Sequence, residues 1–226
     1  MTTELHLLRV FTGPDGRGGN LLGVFLDGGR IPPARRQAVA TELGYSETVY
    51  VDDAAEGAIR IFTPSRELPF AGHPTVGTAW LLHETGAPAT TLRPPAGDVP
   101  FRIDGDRTWI RARPEWIHPI VVDQRGSAAE VEQQPLQSMG EPGRYVWAWI
   151  DEAGGVLRSR YFATDVGIRE DEATGAAAVV MGGRLGRPLT IRQGVGSEIL
   201  VRPQADGTVE IGGRVELVER RAFVAS

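Results

Sequence analysis

The sequence predicts an α+β chain made of two similar halves that face each other across a cleft. Two observations carry this expectation. A segment of strand, loop and small-residue helix occurs twice along the chain. Short alternating apolar stretches bounded by Gly, Pro and Asp also outnumber the helical ones; 226 residues suit either one large domain or two small ones sharing a cleft, so length alone does not choose.

From the start, Leu5 to Phe11 alternates in character and leads through the Gly-rich turn Gly13 to Gly19 into the apolar run Leu21 to Leu26, which predicts a β-hairpin. A helix is expected from Pro32 or Pro33, with Ala38, Val39 and Leu43 on one face and its end near Gly44. Glu47 follows at once and opens a pair of short strands, Thr48 to Val51 and Ala58 to Phe62, split by the turn-rich Asp52, Asp53 and Gly57. Pro74 suits the first helical position of a helix through Thr75 to His83 that stops at Gly86, so His73 falls at a helix N-terminus. Strands at Val99 to Ile103 and Thr108 to Ala112 are joined by the hairpin signal Asp104-Gly105.

Pro114 is the expected boundary, giving a first half of 1–114 and a second of 115–212, with the last strand, 213–226, a candidate to return to the first. The second half opens with a strand at Ile117 to Val122, then a polar Gln-rich connection over Val131 to Met139 and an aromatic strand at Arg144 to Ile150. Trp147 and Trp149, two apart, share one strand face and are expected in the core or at a dimer surface.

The duplication is visible in detail. Arg60-Ile61-Phe62 is echoed by Arg160-Tyr161-Phe162. His73 then lies four residues before Gly77, and Asp171 four residues before Gly175. The small residues after each, Thr78 and Ala79 in one copy and Ala176 to Ala178 in the other, allow each helix a close approach to its neighbour. Two helix N-termini aimed into one cleft would present free N–H groups and positive dipole ends, which suits an acidic substrate.

Composition narrows the chemistry. A formal net charge of −5 without a basic run argues against a nucleic-acid partner. The absence of Cys removes disulfides, thiolate metal sites and thiol acid/base pairs. The four His, at 6, 73, 83 and 118, have no metal-ligand spacing, so no metal is expected. No 18-residue apolar stretch and no signal-peptide pattern is present, which points to a cytoplasmic protein off the membrane. The Gly13 to Gly19 segment lacks both the Lys-Ser/Thr of a P-loop and GxGxxG spacing, so it reads as a turn.

Four stretches, VFTGPDGRGGN, SETVYV, IRIFTPSRELPFAGHPTVGTA and REDEATGAA, resemble the PhzF-like isomerase family over most of the chain. That resemblance implies the diaminopimelate epimerase-like fold, two pseudo-symmetric halves, each a mixed or antiparallel sheet curled around a central helix, with the active-site cleft between. It implies Glu47, His73 and Asp171 as catalytic residues and Asn20, Gly72, Gly175 and Ala176 as substrate-binding positions. It further implies a cofactor-free proton shift on a small carboxylate-bearing metabolite, of the trans-2,3-dihydro-3-hydroxyanthranilate type, by a homodimer. Three positions depart from the family pattern: Ala176 where Ser is frequent, Glu172 where Pro is usual, and Leu21 where Pro usually follows Gly-Asn.

Each candidate also has a plain structural reading. Glu47 could be a solvated carboxylate, His73 a turn or cap, and Asp171 the N-cap of a helix starting near Glu172. Asn20 reads most simply as a turn residue, and Arg66 and Glu67 as surface pairing partners. A non-catalytic binder of small acids, or a different proton-transfer or cyclisation enzyme, stays open alongside the isomerase.

Overall fold

The structure, a computed structural model, describes residues 2–164 and 167–224. β1 (Thr2–Thr12) and β2 (Gly18–Phe25) form the expected antiparallel hairpin. Its turn places Gly16, Gly18 and Gly19 at positive φ, a conformation open to glycine without strain. α1 (Pro33–Leu43) ends on Gly44 in the left-handed conformation and carries the chain to β3 (Glu47–Asp53), parallel to β2. β4 (Ala58–Phe62) returns antiparallel to β3, the short β5 (Glu67–Leu68) pairs with β4, and α2 (Gly72–Glu84) follows. β6 (Thr91–Leu92), β7 (Val99–Asp104) and β8 (Arg107–Ala112) make an antiparallel ladder.

The second half repeats this order. β9 (Val121–Gln124) runs through α3 (Ala128–Glu132) into β10 (Arg144–Asp151), parallel to β9. β11 (Val156–Ala163) is antiparallel to β10, β12 (Ile168–Asp171) pairs antiparallel with β11, and α4 (Gly175–Leu185) follows. The succession β9, α3, β10, β11, β12, α4 therefore matches β2, α1, β3, β4, β5, α2 strand for strand, with the same relative directions. β13 (Leu189–Gln193), parallel to β11, and β14 (Ser197–Pro203) lead to β15 (Val209–Val224). β15 pairs first with β14 and β8 and then, from Arg214 to Val224, with β1, making one sheet continuous through both halves.

α2 and α4 are the two buried helices, and their glycines show why. A methyl group at Gly77 would lie 2.5 Å from Leu22 and 2.7 Å from Val10, and one at Gly182 would lie 2.6 Å from Val209 and 2.7 Å from Val201. Each helix is thus pressed onto its sheet at backbone distance. A single apolar cluster runs from Leu8, Val10 and Val76 through Val179, Met181 and Ile199, so both halves share one core. Each such side chain contributes roughly 1.5–3 kcal/mol by leaving water.

Four expectations are corrected. The strand expected at 117–122 begins only at Val121, because a 3₁₀ turn covers Pro114–Trp116 and Pro119 offers no N–H to a ladder. Part of the polar connection is helical: Ser127 caps α3 by accepting from the Glu130 amide at 3.3 Å, while the Glu130 carboxylate accepts from the Gly126 amide at 3.1 Å. α2 starts at Gly72, so Pro74 is its third residue, still within the turn whose N–H groups lack helical partners. α4 starts at Gly175 with Thr174 at its N-cap, so Asp171 lies before the helix and does not cap it.

Candidate active site

The N-termini of α2 and α4 meet head to head at glycine. A methyl group at Gly72 would sit 2.6 Å from the Gly175 Cα, and one at Gly175 would sit 2.8 Å from the Gly72 Cα and 2.9 Å from the His73 amide nitrogen. Only residues without a side chain permit this approach. Neither Ala71 nor Thr174, at the two N-cap positions, caps its helix with a side chain. The first-turn N–H groups and positive ends of two helices therefore converge on one point, a setting that favours an anion.

Around that point stand the three titratable candidates. Glu47, at the start of β3, has its Oε2 3.2 Å from His73 Nε2, with side-chain exposures of 13% and 4%. The two atoms face each other without hydrogen-bond alignment, and neither has another partner among the described residues. Buried polar atoms left this way are uncommon in folded proteins. Burial pushes the Glu47 carboxyl up to about 8, the neighbouring Asp171 charge adds to the rise, and the Ser46 hydroxyl opposes it. Burial also raises Asp171, against hydrogen bonds from Thr174 and Asn20. His73 is driven down to about 3 by burial, against a backbone hydrogen bond at Leu21, so its ring is neutral at physiological pH.

Asn20 joins the halves. Its amide nitrogen donates to Asp171 Oδ1 at 2.6 Å and to the Ala173 carbonyl at 3.3 Å, and lies 3.4 Å from His73 Nδ1. Its carbonyl accepts from the Ser46 hydroxyl at 3.1 Å. Asn20 is a buried strand residue opposite Val10, so its expected role as a turn residue is corrected. On the other side of Asp171, Thr174 donates its hydroxyl to Oδ2 at 2.5 Å, and Gln193 donates to the Asp171 carbonyl at 2.8 Å. Gln193 also accepts from the Thr174 amide at 3.3 Å, so the loop from Asp171 to Thr174 is held from two directions.

A cavity of about 140 Å³ opens on this cluster. Glu47, Asp171 and Thr174 supply polar side chains to its lining, and Ala176, Phe70, Trp116 and Tyr161 stand among its apolar walls, with Phe70 and Trp116 5.5 Å apart. Asn20, Gly72, His73 and Gly175 are not part of its lining; they stand behind the residues that are. The pattern of an apolar slot with a few convergent polar groups is that of a small-molecule site. Among the described residues no cluster of three or more His, Asp or Glu could hold a metal ion.

The family model of phenazine biosynthesis-like proteins, PhzC-PhzF, matches residues 8–150. Trans-2,3-dihydro-3-hydroxyanthranilate isomerase of Pseudomonas fluorescens is 30% identical over 251 aligned positions, covering 88% of this chain and 89% of that protein. The chain belongs to the PhzF family. A PhzF-family phenazine biosynthesis protein of Enterococcus faecalis has the same fold, with a TM-score of 0.75 at 21% identity over 99% of this chain and 100% of the other. A hydroxyproline epimerase of Agrobacterium vitis, solved with bound trans-4-OH-L-proline, superposes with a TM-score of 0.63 at 10% identity, covering 100% of this chain and 93% of that one. The PhzF fold of this chain is thus also the fold of epimerases, α+β with two facing halves.

Against this PhzF frame the sequence missed several contributors. Gln193 lies outside all four of the stretches that carry the resemblance, and Ser46 and Thr174, although within SETVYV and REDEATGAA, are not singled out there; only their tertiary placement gives these three a part in the site. Arg66 and Glu67, expected to pair at the surface, behave differently: Glu67 accepts from Arg60 at 2.8 Å, whereas Arg66 lines the cavity. No helix among the described residues is long and apolar enough to cross a membrane.

Proposed function

We propose that the chain is a cofactor-independent isomerase that shifts a proton along a small, cyclic, carboxylate-bearing metabolite of the trans-2,3-dihydro-3-hydroxyanthranilate type, the compound named for its Pseudomonas fluorescens relative. The observation that carries this reading is the Glu47 carboxyl, held at a cavity wall with its proton affinity raised to about 8. Near neutral pH such a group exists in both forms. Its carboxylate is basic enough to take a proton from a carbon activated by conjugation, and the acid so formed can return it at another carbon. Because the two steps use one group inside a closed apolar slot, the proton is returned before water exchanges it.

The remaining residues position the ring. The convergent positive ends of α2 and α4, which meet at Gly72 and Gly175 behind the cavity lining, favour the substrate carboxylate through their dipoles. Asp171, at the cavity wall, holds the ring amine or hydroxyl, neutral His73 and Asn20 behind the lining keep Glu47 and Asp171 in place, and Ala176 contacts the ring. Halves 1–114 and 115–212 close over the substrate, and the protein works in the cytoplasm as a homodimer, a state that sedimentation measures directly. Ala176, which has no hydroxyl to offer the substrate, favours one second reading, that of a binder of small acids without turnover.

Incubation with trans-2,3-dihydro-3-hydroxyanthranilate tests the proposal. A product of unchanged mass and altered ultraviolet spectrum is expected. Tight calorimetric binding of the acid with no such product would instead support the binder, and neither binding nor turnover would remove this substrate class.

A further inference from the structure

Behind the catalytic cluster, on the side away from the cavity, a second set of hydrogen bonds spans the halves. Glu172 Oε1 accepts from the Ser197 hydroxyl at 2.8 Å and from the Val195 amide at 2.9 Å. The same Ser197 oxygen accepts from the Gly19 amide at 2.8 Å. A serine hydroxyl has one proton to give and lone pairs to receive, so Ser197 can donate to Glu172 and accept from Gly19 at once. The chain of bonds therefore runs from the β1–β2 hairpin of the first half to the loop before α4 in the second.

Its position is specific. Gly19 directly precedes Asn20 and Glu172 directly follows Asp171, the two residues that meet across the halves at 2.6 Å. Two adjacent pairs of residues are thus linked twice, once on the cavity side and once on the outer side. The two segments are packed at backbone distance: a methyl group at Gly18 would come within 2.3 Å of the Ser197 amide nitrogen. Glu172, Ser197 and Gly194 lie in the lining of an open groove of about 1190 Å³, so this outer link borders the groove, while Asp171 of the inner link faces the cavity on the other side.

We infer that Glu172 is a positioning residue, which through Ser197 and Gly19 holds Asp171 and Asn20 in register and so sets the environment of Glu47. The inference rests on the isomerase reading above, and its tests include two that need no turnover. Its consequence for Glu47 is electrostatic, since the neighbouring Asp171 charge helps to raise that carboxyl. If Asp171 is released, Glu47 loses that second contribution and its titration midpoint falls, while burial, the larger cause, still holds it above the ordinary carboxylate range.

The experiment compares E172A, E172Q, S197A and the double variant E172A/S197A with the parent chain. Three quantities are read: kcat and KM for trans-2,3-dihydro-3-hydroxyanthranilate, the Glu47 titration midpoint by ¹³C NMR, and hydrogen exchange at the Gly19 amide. E172A should lower kcat roughly 10- to 30-fold with KM changed less than about threefold, the signature of misplacement near the reacting atoms. It should also lower the Glu47 midpoint and speed Gly19 exchange. E172Q keeps an acceptor oxygen and should return kcat to within about threefold of the parent, with Gly19 again protected. S197A should resemble E172A, and the double variant should be no worse than either single one, because both break the same link. Unchanged kcat, midpoint and exchange in E172A would overturn the inference. So would an E172Q as damaged as E172A, or additive losses in the double variant. If the parent chain fails to turn over the ring acid, the isomerase reading falls, while the Glu47 midpoint and Gly19 exchange still decide the role of Glu172.

Discussion

The contact between the two helix ends can be broken by a single methyl group. In Gly175→Ala the new Cβ would lie 2.8 Å from the Gly72 Cα and 2.9 Å from the His73 amide nitrogen, both backbone atoms that cannot rotate away. Carbon atoms settle at about 3.5–4.0 Å, so α2 and α4 must part by about 1 Å. That displacement acts directly on His73, at the start of α2, and on the 2.6 Å bond between Asn20 and Asp171. A misplacement of about 1 Å near the reacting atoms lowers turnover by about 100-fold. Overpacking lowers stability by roughly 1–3 kcal/mol, and each kcal/mol moves the melting temperature of a chain this size by about 2–4 °C. The assay is kcat for isomer formation alongside calorimetric melting. Gly72→Ala should do the same damage, and the double variant should fall short of the sum, since one separation relieves both clashes. Parental turnover in Gly175→Ala would refute the argument that this close approach sets the site.

Other expectations follow from the same geometry. Glu47 holds its proton more tightly folded than unfolded, so its contribution to stability is complete below the ordinary carboxyl range and is lost as pH rises toward about 8. His73, held near 3, works the other way, and its contribution is complete above the ordinary imidazole range. Between about pH 6.5 and 8.5 the Glu47 effect stands alone of the two, and urea denaturation should show the parent losing on the order of 2 kcal/mol more than Glu47→Gln; equal losses would contradict the burial argument. Asn20→Ala removes the bridge to Asp171 and should cost about 1–3 kcal/mol in denaturation and at least tenfold in kcat. Ala176→Ser adds a hydroxyl at the cavity wall and should lower KM for the ring acid about fivefold, read from steady-state kinetics, with an unchanged melting temperature.

Much of the fold was legible because local chemistry and tertiary structure agree. The hairpin turn needed glycine at positive φ, α1 needed its proline and Gly44, and the echo of Arg60-Ile61-Phe62 at Arg160-Tyr161-Phe162 marks β4 and β11 of a true structural repeat. The repeat also brought His73 and Asp171 together across the chain. What stayed hidden depends on contacts between distant segments. Asn20 follows two glycines and reads as turn, yet pairing with Val10 makes it strand. α3 is short, but its capping box at Ser127 and Glu130 was a readable signal that outweighs the polar, Gln-rich sequence after it. Segment 117–120 reads as strand by composition, but the prolines at 114 and 119 break its ladder and leave it free to line the cavity. Gln193 carries no pattern at all, and Thr174 and Glu172, although inside the REDEATGAA stretch, gave no sign of their partners, which only the tertiary fold brings close.

In the proposed reaction Glu47 is the group that carries the proton. Turnover of trans-2,3-dihydro-3-hydroxyanthranilate in D₂O by the parent chain and by Glu47→Gln, followed by NMR and mass spectrometry, addresses it without intermediaries. The parent should form the isomer, while the variant, folded and still binding the acid, should form it at least 10³-fold more slowly, as removal of a general acid/base group entails. A Glu47→Gln protein that makes the isomer at the parental rate would place the proton transfer elsewhere.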